Sequence, residues 1–363
     1  MHIVQPRTFN PRKTLFVGAI ILLLIIVTLN RRPPEPPDFD AHWRGETMGT
    51  YYDIKIADFP VAETELEAIR ASVEAYLIEM NRQMSTYIAD SEISQFNRSQ
   101  DIEVPFPVSQ PFASITQSAL AWAERSGGTF DPTLDPLINF WGFGHTARQP
   151  TDVDENELHE LRDQVGFKRI QVVDGTSLQK SRADVQLNLN AIAKGAAVDG
   201  VAALLKEHGA TNIYVELGGD MVVSGLNAQG IPWRIAVESP AGVTAPDQRI
   251  YGIMNLTRGA VAGSGDYRQF QVDADGQRMS HIIDPRTGRP VDHDVAAVHV
   301  WAPLCMDADA VATAAMVMGE DEGLRWIESL PDIEAIFFIR QADETYRTVK
   351  SSRFVERTGF RRR

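Results

Sequence analysis

Fifteen consecutive uncharged residues, Leu15 to Leu29 (LFVGAIILLLIIVTL), divide this chain before any other feature does. Arg12 and Lys13 precede the run, and Arg31 and Arg32 follow it. As a helix it reaches about 22 Å at 1.5 Å per residue, against a hydrocarbon core of roughly 30 Å. Thr14, Asn30 and snorkelling arginines bring it to the lower limit of a span. The basic front end fits a secretory n-region, but NRRPPEPPDFD follows in place of a small-residue cleavage site, and no Cys stands there for lipidation. The expectation is an uncleaved signal anchor over residues 1–32, with the body exported; a cleaved signal peptide is the competing reading. Residues 33–46, opening on the Pro-rich PPEPP, are expected to be a stiff extended linker.

Charge follows the same division. Residues 1–32 carry five basic residues and no acid, so with a formal net charge of −14 the remainder carries −19. A body this acidic should not track a nucleic-acid backbone, and an anionic ligand must be held locally, by a metal ion, a helix N-terminus or a Gly-rich turn. One cysteine, Cys305, excludes a disulfide framework and any Cys-rich metal site. With 363 residues, 44% of them hydrophobic, the chain can bury a sizeable core.

Within the body, the spacing of apolar residues predicts a strand over 47–57 and a long amphipathic helix over 61–84. A second helix is expected over 109–126, with Ser109 at its start and Pro111 in its first turn. An acidic helix near 154–165 and a strand GFKRIQVVD follow. A strand end then feeds a helix within 187–209. NIYVELGGDMVVSG, WRIAVESP, YGIMNLTRGAVAGSG and VAAVHVWAP read as strands, CMDADAVATAAMVMGEDEGLRWIESL as one or two helices, and EAIFFIRQ with TYRTVK as a hairpin. Strand runs joined by hairpins, with helices in blocks, place the chain in the α+β class, with mixed or antiparallel sheets flanked by helices. P-loop, HExxH, GxSxG and strand-borne GxGxxG motifs are absent from the sequence.

The residues that can carry chemistry sit where polar residues and glycines interrupt apolar runs. Asp309 and Thr313 are four apart on an expected helix, so their oxygens share one face, and hard oxygen donors of this kind suit Mg²⁺. Taken alone, the same pattern fits an acidic helix N-terminus. His281 and Asp284 precede a Pro–Thr–Gly turn in SHIIDPRTGRP, which by itself is equally an ordinary turn. Cys305 reads as a buried core residue before a nucleophile. Ser264, Asp266 and His281 could be drawn as a hydrolase triad, although their spacing does not favour one.

Together these segments are far more specific. TMGT (47–50), MSTYIADSEISQFN (84–97), GGTFDPTLDPLINFWGFG (127–144), LNLNAIAKGAAVDGV (187–201), VELGGDMVVSG (215–225), AVAGSGDYRQF (260–270), SHIIDPRTGRP (280–290) and CMDADAVATA (305–314) stand in the order and approximate spacing of the ApbE family, the FAD:protein FMN transferases, which the chain resembles from about Thr47 to beyond Gly319. The resemblance implies an ApbE-like domain over 47–363. It also implies an enzyme that binds FAD as substrate, cleaves its pyrophosphate with Mg²⁺ and moves FMN onto a Thr or Ser hydroxyl of an acceptor protein, releasing AMP. Family members often face the periplasm and flavinylate subunits of membrane redox complexes, which matches an inner-membrane anchor with an exported catalytic domain.

Carried over position by position, the resemblance implies flavin contacts at Met48, Tyr87, Thr129, Phe130, Asp131, Asn188, Lys194 and Ile283, and metal ligands at Asp309, Thr313 and the carbonyl of Ala191. His281 is the candidate base for the attacking hydroxyl, since an imidazole with an ordinary pKa near 6.5 suits that task, and Asp284 would orient it or contact the metal. Four departures from the family pattern stand out: Asn188 for Asp, Asn190 for Gly, Gly263 for Thr or Ser, and Asp135 for Gly. Hydrolysis of FAD to FMN and AMP, or a non-catalytic flavin-binding envelope protein, are the alternative functions.

Overall fold

The computed structural model describes residues 39–145, 153–243, 249–267, 270–272, 278–343 and 345–363. The expected anchor, and the linker as far as residue 38, lie outside the described residues. Residues 39–363 form one compact unit. Among the described residues, no helix is long and apolar enough to cross a membrane.

The chain opens on a hairpin, β1 (Ala41–Thr47) and β2 (Thr50–Ala57). It corrects two expectations, because the linker ends by residue 40 and the single strand expected over 47–57 is two strands. Ala41 and Trp43 alternate with exposed neighbours and are buried, which draws this stretch into the sheet. Met48 and Gly49 form the two-residue turn with φ of 50° and 72°, the left-handed pair that a tight hairpin of this twist requires.

Helices α1 (Glu63–Met84) and α2 (Glu92–Arg98) come next, then β3 (Phe106–Pro107) and α3 (Gln110–Arg125), which Ser109 caps by accepting from Phe112 N–H. After α4 (Asp135–Phe140) and α5 (Glu155–Arg162), strands β4 (Ile170–Val173) and β5 (Ser177–Lys180) join β3 in a small sheet. Helix α6 (Ala193–Glu207) leads into β6 (Asn212–Leu217), β7 (Asp220–Ser224), β8 (Trp233–Glu238), β9 (Ile250–Leu256) and β10 (Arg258–Gly265). Two short hairpins follow, β11 (Phe270–Val272) with β12 (Arg278–Ser280) and β13 (Ile283–Asp284) with β14 (Arg289–Pro290). Strand β15 (Val295–Ala302), helix α7 (Cys305–Ser329), β16 (Glu334–Arg340), β17 (Tyr346–Lys350), α8 (Phe354–Thr358) and β18 (Arg361–Arg362) complete the chain.

Eight strands make one antiparallel sheet in the order β1-β2-β6-β7-β10-β15-β16-β17. Both faces are covered, which explains the apolar runs of its central strands. In β16, Ala335, Phe337 and Ile339 enter the core under α1, α6 and α7, while Ile336 and Phe338 face the second sheet, β18-β9-β8. The run YGIMNLTRGAVAGSG, expected as one strand region, is split at Thr257: β9 belongs to the second sheet, β18-β9-β8, and β10 to the eight-stranded one. Helix α7 is kinked at Gly319, whose φ is 78°. Residues 187–192 run as loop and turn instead of strand.

One buried cation ties the segment before α6 in place. Lys180 Nζ is ringed by the carbonyls of Phe96 (3.3 Å), Asn97 (3.2 Å), Ala183 (2.9 Å) and Val185 (3.3 Å), which share its three donors. Asn97 bonds both backbone groups of Leu187 through its side chain. The route from α2 to residue 188 is therefore fixed by polar groups that the apolar periodicity does not reveal.

Candidate active site

Helices α6 and α7 cap each other. Neither has a side-chain cap of its own at Ile192 or Leu304. Asp199 of α6 accepts from Cys305 N–H and Met306 N–H, both at 2.9 Å, and Asp309 of α7 accepts from Gly195 N–H at 3.1 Å. The first-turn N–H groups left without intrahelical partners are thus satisfied across the helix pair. Trp122 of α3 adds a third grip, donating from Nε1 to Asp307 Oδ1 at 2.7 Å. Burial pushes the Asp199 carboxyl up to about 6, with Asp307 adding to the shift and the two N–H groups opposing it.

Asp199→Ala is expected to cost about 2 kcal/mol, since two cap bonds at a buried helix end are lost. Chemical denaturation reads this directly. Because the folded pKa lies above the ordinary carboxylate value of about 4, the stability that Asp199 contributes is present at low pH and lost as pH rises from about 4 to about 6. Asp199→Asn should flatten that part of the stability–pH curve, and an unchanged slope would show that other groups produce it.

At the point of closest approach lies a cluster of three charges. Lys194 Nζ contacts Asp220 Oδ2 of β7 and stands 3.5 Å from Asp309 Oδ1. Asp220 Oδ1 accepts from Gly263 N–H at 3.3 Å. Asp220 and Asp309 are 2% and 5% exposed. Burial raises the Asp309 carboxyl well above the carboxylate range, and the charge of Asp220 adds to it against the pull of Lys194. For Lys194 burial acts downward, but the two carboxylates outweigh it and raise the ammonium. Two buried carboxylates share one cation; with both ionised the cluster would carry a formal charge of −1, and a bound cation would favour that state by neutralising it.

Thr313, one turn beyond Asp309, shares a hydrogen bond of 3.1 Å with Ser264 Oγ of β10. Asp309 thus reaches α6 through Gly195 and Lys194, while Thr313 reaches β10 through Ser264. Ala191 lies in the turn that opens α6, partly buried against the same core. No group of three or more His, Cys, Asp or Glu side chains gathers as a metal cluster among the described residues. A donor set of one carboxylate, one hydroxyl and one carbonyl fits Mg²⁺, which keeps several positions for water and phosphate oxygens, and does not fit a closed all-protein site.

The expected flavin contacts divide between exposed and buried positions. Met48 occupies the left-handed corner of the first hairpin, and Tyr87 is 67% exposed, edge-on to His145 at 6.1 Å between centroids. Thr129 and Phe130 are buried, Thr129 donating to Ser126 O at 3.2 Å. Asp131 organises its own loop, accepting from Thr133 N–H (2.8 Å), Thr133 Oγ1 (2.5 Å) and Phe167 N–H (2.9 Å). Asn188 N–H donates to Pro132 O at 2.7 Å, so the segments 129–135 and 187–191 are joined at the backbone. Ile283 packs among Leu137, Phe140, Trp141 and Leu158 in a separate small core.

His281 is partly buried, with its ring 6.2 Å from that of Phe143. Asp284 is engaged by Arg286, which donates to it from Nε and Nη2 and bridges to Glu322. The hydrolase triad does not assemble: Ser264 pairs with Thr313, and Asp266 accepts two bonds from Arg340. Cys305 is fully buried, and burial drives its thiol pKa well up, which leaves no thiolate for nucleophilic attack. Sequence reasoning missed Asp220, Asp199 and Trp122 as parts of the site. Only the interruption of an apolar strand by GGD marked the first of them.

The same residues lie in a segment with clear relatives. The ApbE family model matches residues 48–337. The chain belongs to the ApbE family. It is 39% identical over 324 residues to the FAD:protein FMN transferase of Vibrio cholerae, covering 88% of this chain and 93% of that protein. To the Haemophilus influenzae protein of the same name it is 35% identical over 317 residues, with 86% and 90% covered. Among solved structures, the flavin transferase ApbE from Vibrio cholerae superposes with a TM-score of 0.78 at 39% identity, covering 87% of this chain and 98% of that one. The apo form of Pseudomonas stutzeri flavinyl transferase ApbE gives 0.76 at 33% identity, with 88% and 96% covered. The ApbE-like fold read from the sequence is thereby established, with helices flanking antiparallel sheets.

Proposed function

We propose that this ApbE-family chain transfers FMN from FAD to a Thr or Ser hydroxyl of an acceptor protein and releases AMP. The observation that carries this reading is the pair Asp309 and Thr313 beside the Lys194–Asp220 contact, inside a fold shared with flavin transferases. In the transfer, the acceptor hydroxyl attacks the FMN phosphorus, the bond to the AMP oxygen breaks, and the hydroxyl proton must leave. Phosphoryl transfer asks a protein mainly to position groups and stabilise charge.

Asp309, Thr313 and the Ala191 carbonyl would hold Mg²⁺, which when bound supplies neutralisation of the pyrophosphate charge. Lys194 holds Asp309 in place and keeps its own proton at neutral pH. The segments around Met48, Tyr87, 129–131, Asn188 and Ile283 bind the flavin. His281 takes the hydroxyl proton. Asp284, held by Arg286, would orient His281 or contact the metal.

The apolar run 15–29 with its flanking arginines supports an inner-membrane anchor, with residues 39–363 in the periplasm. The acceptor would be a flavoprotein subunit of a membrane redox complex. Nothing in the charge pattern supports a nucleic-acid partner.

Incubating the chain with FAD, Mg²⁺ and a candidate acceptor should leave covalent, fluorescent flavin on the acceptor and free AMP. Equal amounts of free FMN and AMP, with an unlabelled acceptor, would make it a hydrolase; unchanged FAD would make it a binding protein. His281→Asn should slow transfer roughly 100- to 10,000-fold, the usual worth of a general base, while FAD binding persists. If the variant loses FAD binding in proportion to rate, His281 holds the cofactor and moves no proton.

A further inference from the structure

Two of the departures from the family pattern meet in space, although 53 residues separate them in the chain. Asp135 begins α4 and is fully buried. Its Oδ1 accepts from Asn188 Nδ2 and its Oδ2 from Asn139 Nδ2, both at 2.8 Å. Burial raises its pKa, while these two amides and His145 act in the other direction.

A carboxylate placed between two amide groups fixes which way each amide points, because the NH₂ end must face the acceptor. With Nδ2 of Asn188 turned toward Asp135, its Oδ1 accepts from Asn190 N–H at 3.0 Å. Asn139 is held twice, donating to Asp135 O at 3.0 Å as well. It lines a cavity of about 330 Å³ together with Pro136, Phe140, His145, Leu161 and Gln186. Asp135 thus sits behind the expected flavin contact at 188 and behind one wall of this cavity.

We infer that Asp135 is a positioning residue for flavin binding: it fixes the Asn188 and Asn139 amides and supplies the single carboxyl group of the 135–188 pair. The inference rests on the flavin-transferase reading. It gives the identity of residue 188 a physical meaning, since a carboxylate at 188 would face that of Asp135 at hydrogen-bond distance in a buried site, where only one can ionise. The pair admits one acid, at either position, but not two.

The test is a swap in the full chain, with Asn188→Asp, Asp135→Asn and the double substitution compared with the parent. FAD binding is followed by quenching of flavin fluorescence, folding by thermal unfolding, and transfer by KM for FAD against kcat. Asn188→Asp and Asp135→Asn should each weaken FAD binding roughly 10- to 100-fold and raise KM more than they lower kcat. The double variant, which restores one carboxylate facing one amide, should return to within about threefold of the parent. Additive losses in the double variant would overturn the inference while leaving the parent's FAD binding intact. Recovery of unfolding temperature without recovery of FAD affinity would also overturn it, since the pair would then be structural only. A parent chain that does not quench flavin would overturn the flavin-transferase reading, and this inference with it.

Discussion

Asp309→Ala is expected to lower FMN transfer by roughly a thousandfold or more, with the fold retained. The carboxylate has two duties in the structure. It accepts Gly195 N–H in the first turn of α6, and it contributes the negative charge beside Lys194 that a divalent cation would meet. Losing the cap bond costs about 1 kcal/mol, and Lys194 keeps Asp220 as its partner, so neither charge is stranded by the change. Losing the charge removes the carboxylate donor of the proposed metal site. Asp309→Asn separates the two duties, because an amide oxygen still accepts from Gly195 N–H but brings no charge. The Asn variant should match the parent in thermal unfolding and the Ala variant in inactivity. Transfer at the parental rate by either variant, at ordinary Mg²⁺, would end the metal assignment.

A larger effect on stability is expected from Gly195→Ala. A Cβ at this position would lie 2.4 Å from the Cys305 carbonyl oxygen, 2.6 Å from its carbon and 2.7 Å from Met306 Cα. All three are backbone atoms of α7, so no rotamer change relieves the contact and the helices must separate. Alanine gains about 1 kcal/mol over glycine in a helix interior, but overpacking of this kind costs typically 1–3 kcal/mol and more where backbone must shift. A net destabilisation of about 2 kcal/mol or more is expected. The same shift pulls Asp199 from Cys305 N–H and Asp309 from Gly195 N–H, so transfer should fall with stability even though Gly195 has no side chain to act. A variant as stable and active as the parent would show that the helix pair can separate without cost.

Local chemistry made much of this molecule legible. Helix α3 begins where Ser109 and Pro111 announced it, because capping and the fixed φ of proline act within one turn of chain. Strand β16 could be found from its apolar run, but which residues faced which layer was not visible, since burial on both faces erases the alternation that marks a half-exposed strand. In sequence the hairpin at Met48 and Gly49 looks like one strand, because a two-residue turn barely interrupts the pattern of its flanks. Strands β9 and β10 are continuous in sequence pattern for a related reason: one residue separates them, and only packing sends them to different sheets.

At the site, the i, i+4 spacing of Asp309 and Thr313 determined that they share a helix face, and the order of eight segments determined the family. What surrounds them was decided by tertiary structure. Lys194, Asp220 and Asp309 lie far apart in the chain and meet only because α6 and α7 pack at Gly195 against the same strands. Asp199 caps a helix that begins about a hundred residues later, and Asp135 finds Asn188 across 53 residues. A linear sequence carries propensities that act over a turn or a strand. The pairing of buried charges and orphan amides is chosen only when the core closes, because only then does water cease to satisfy them.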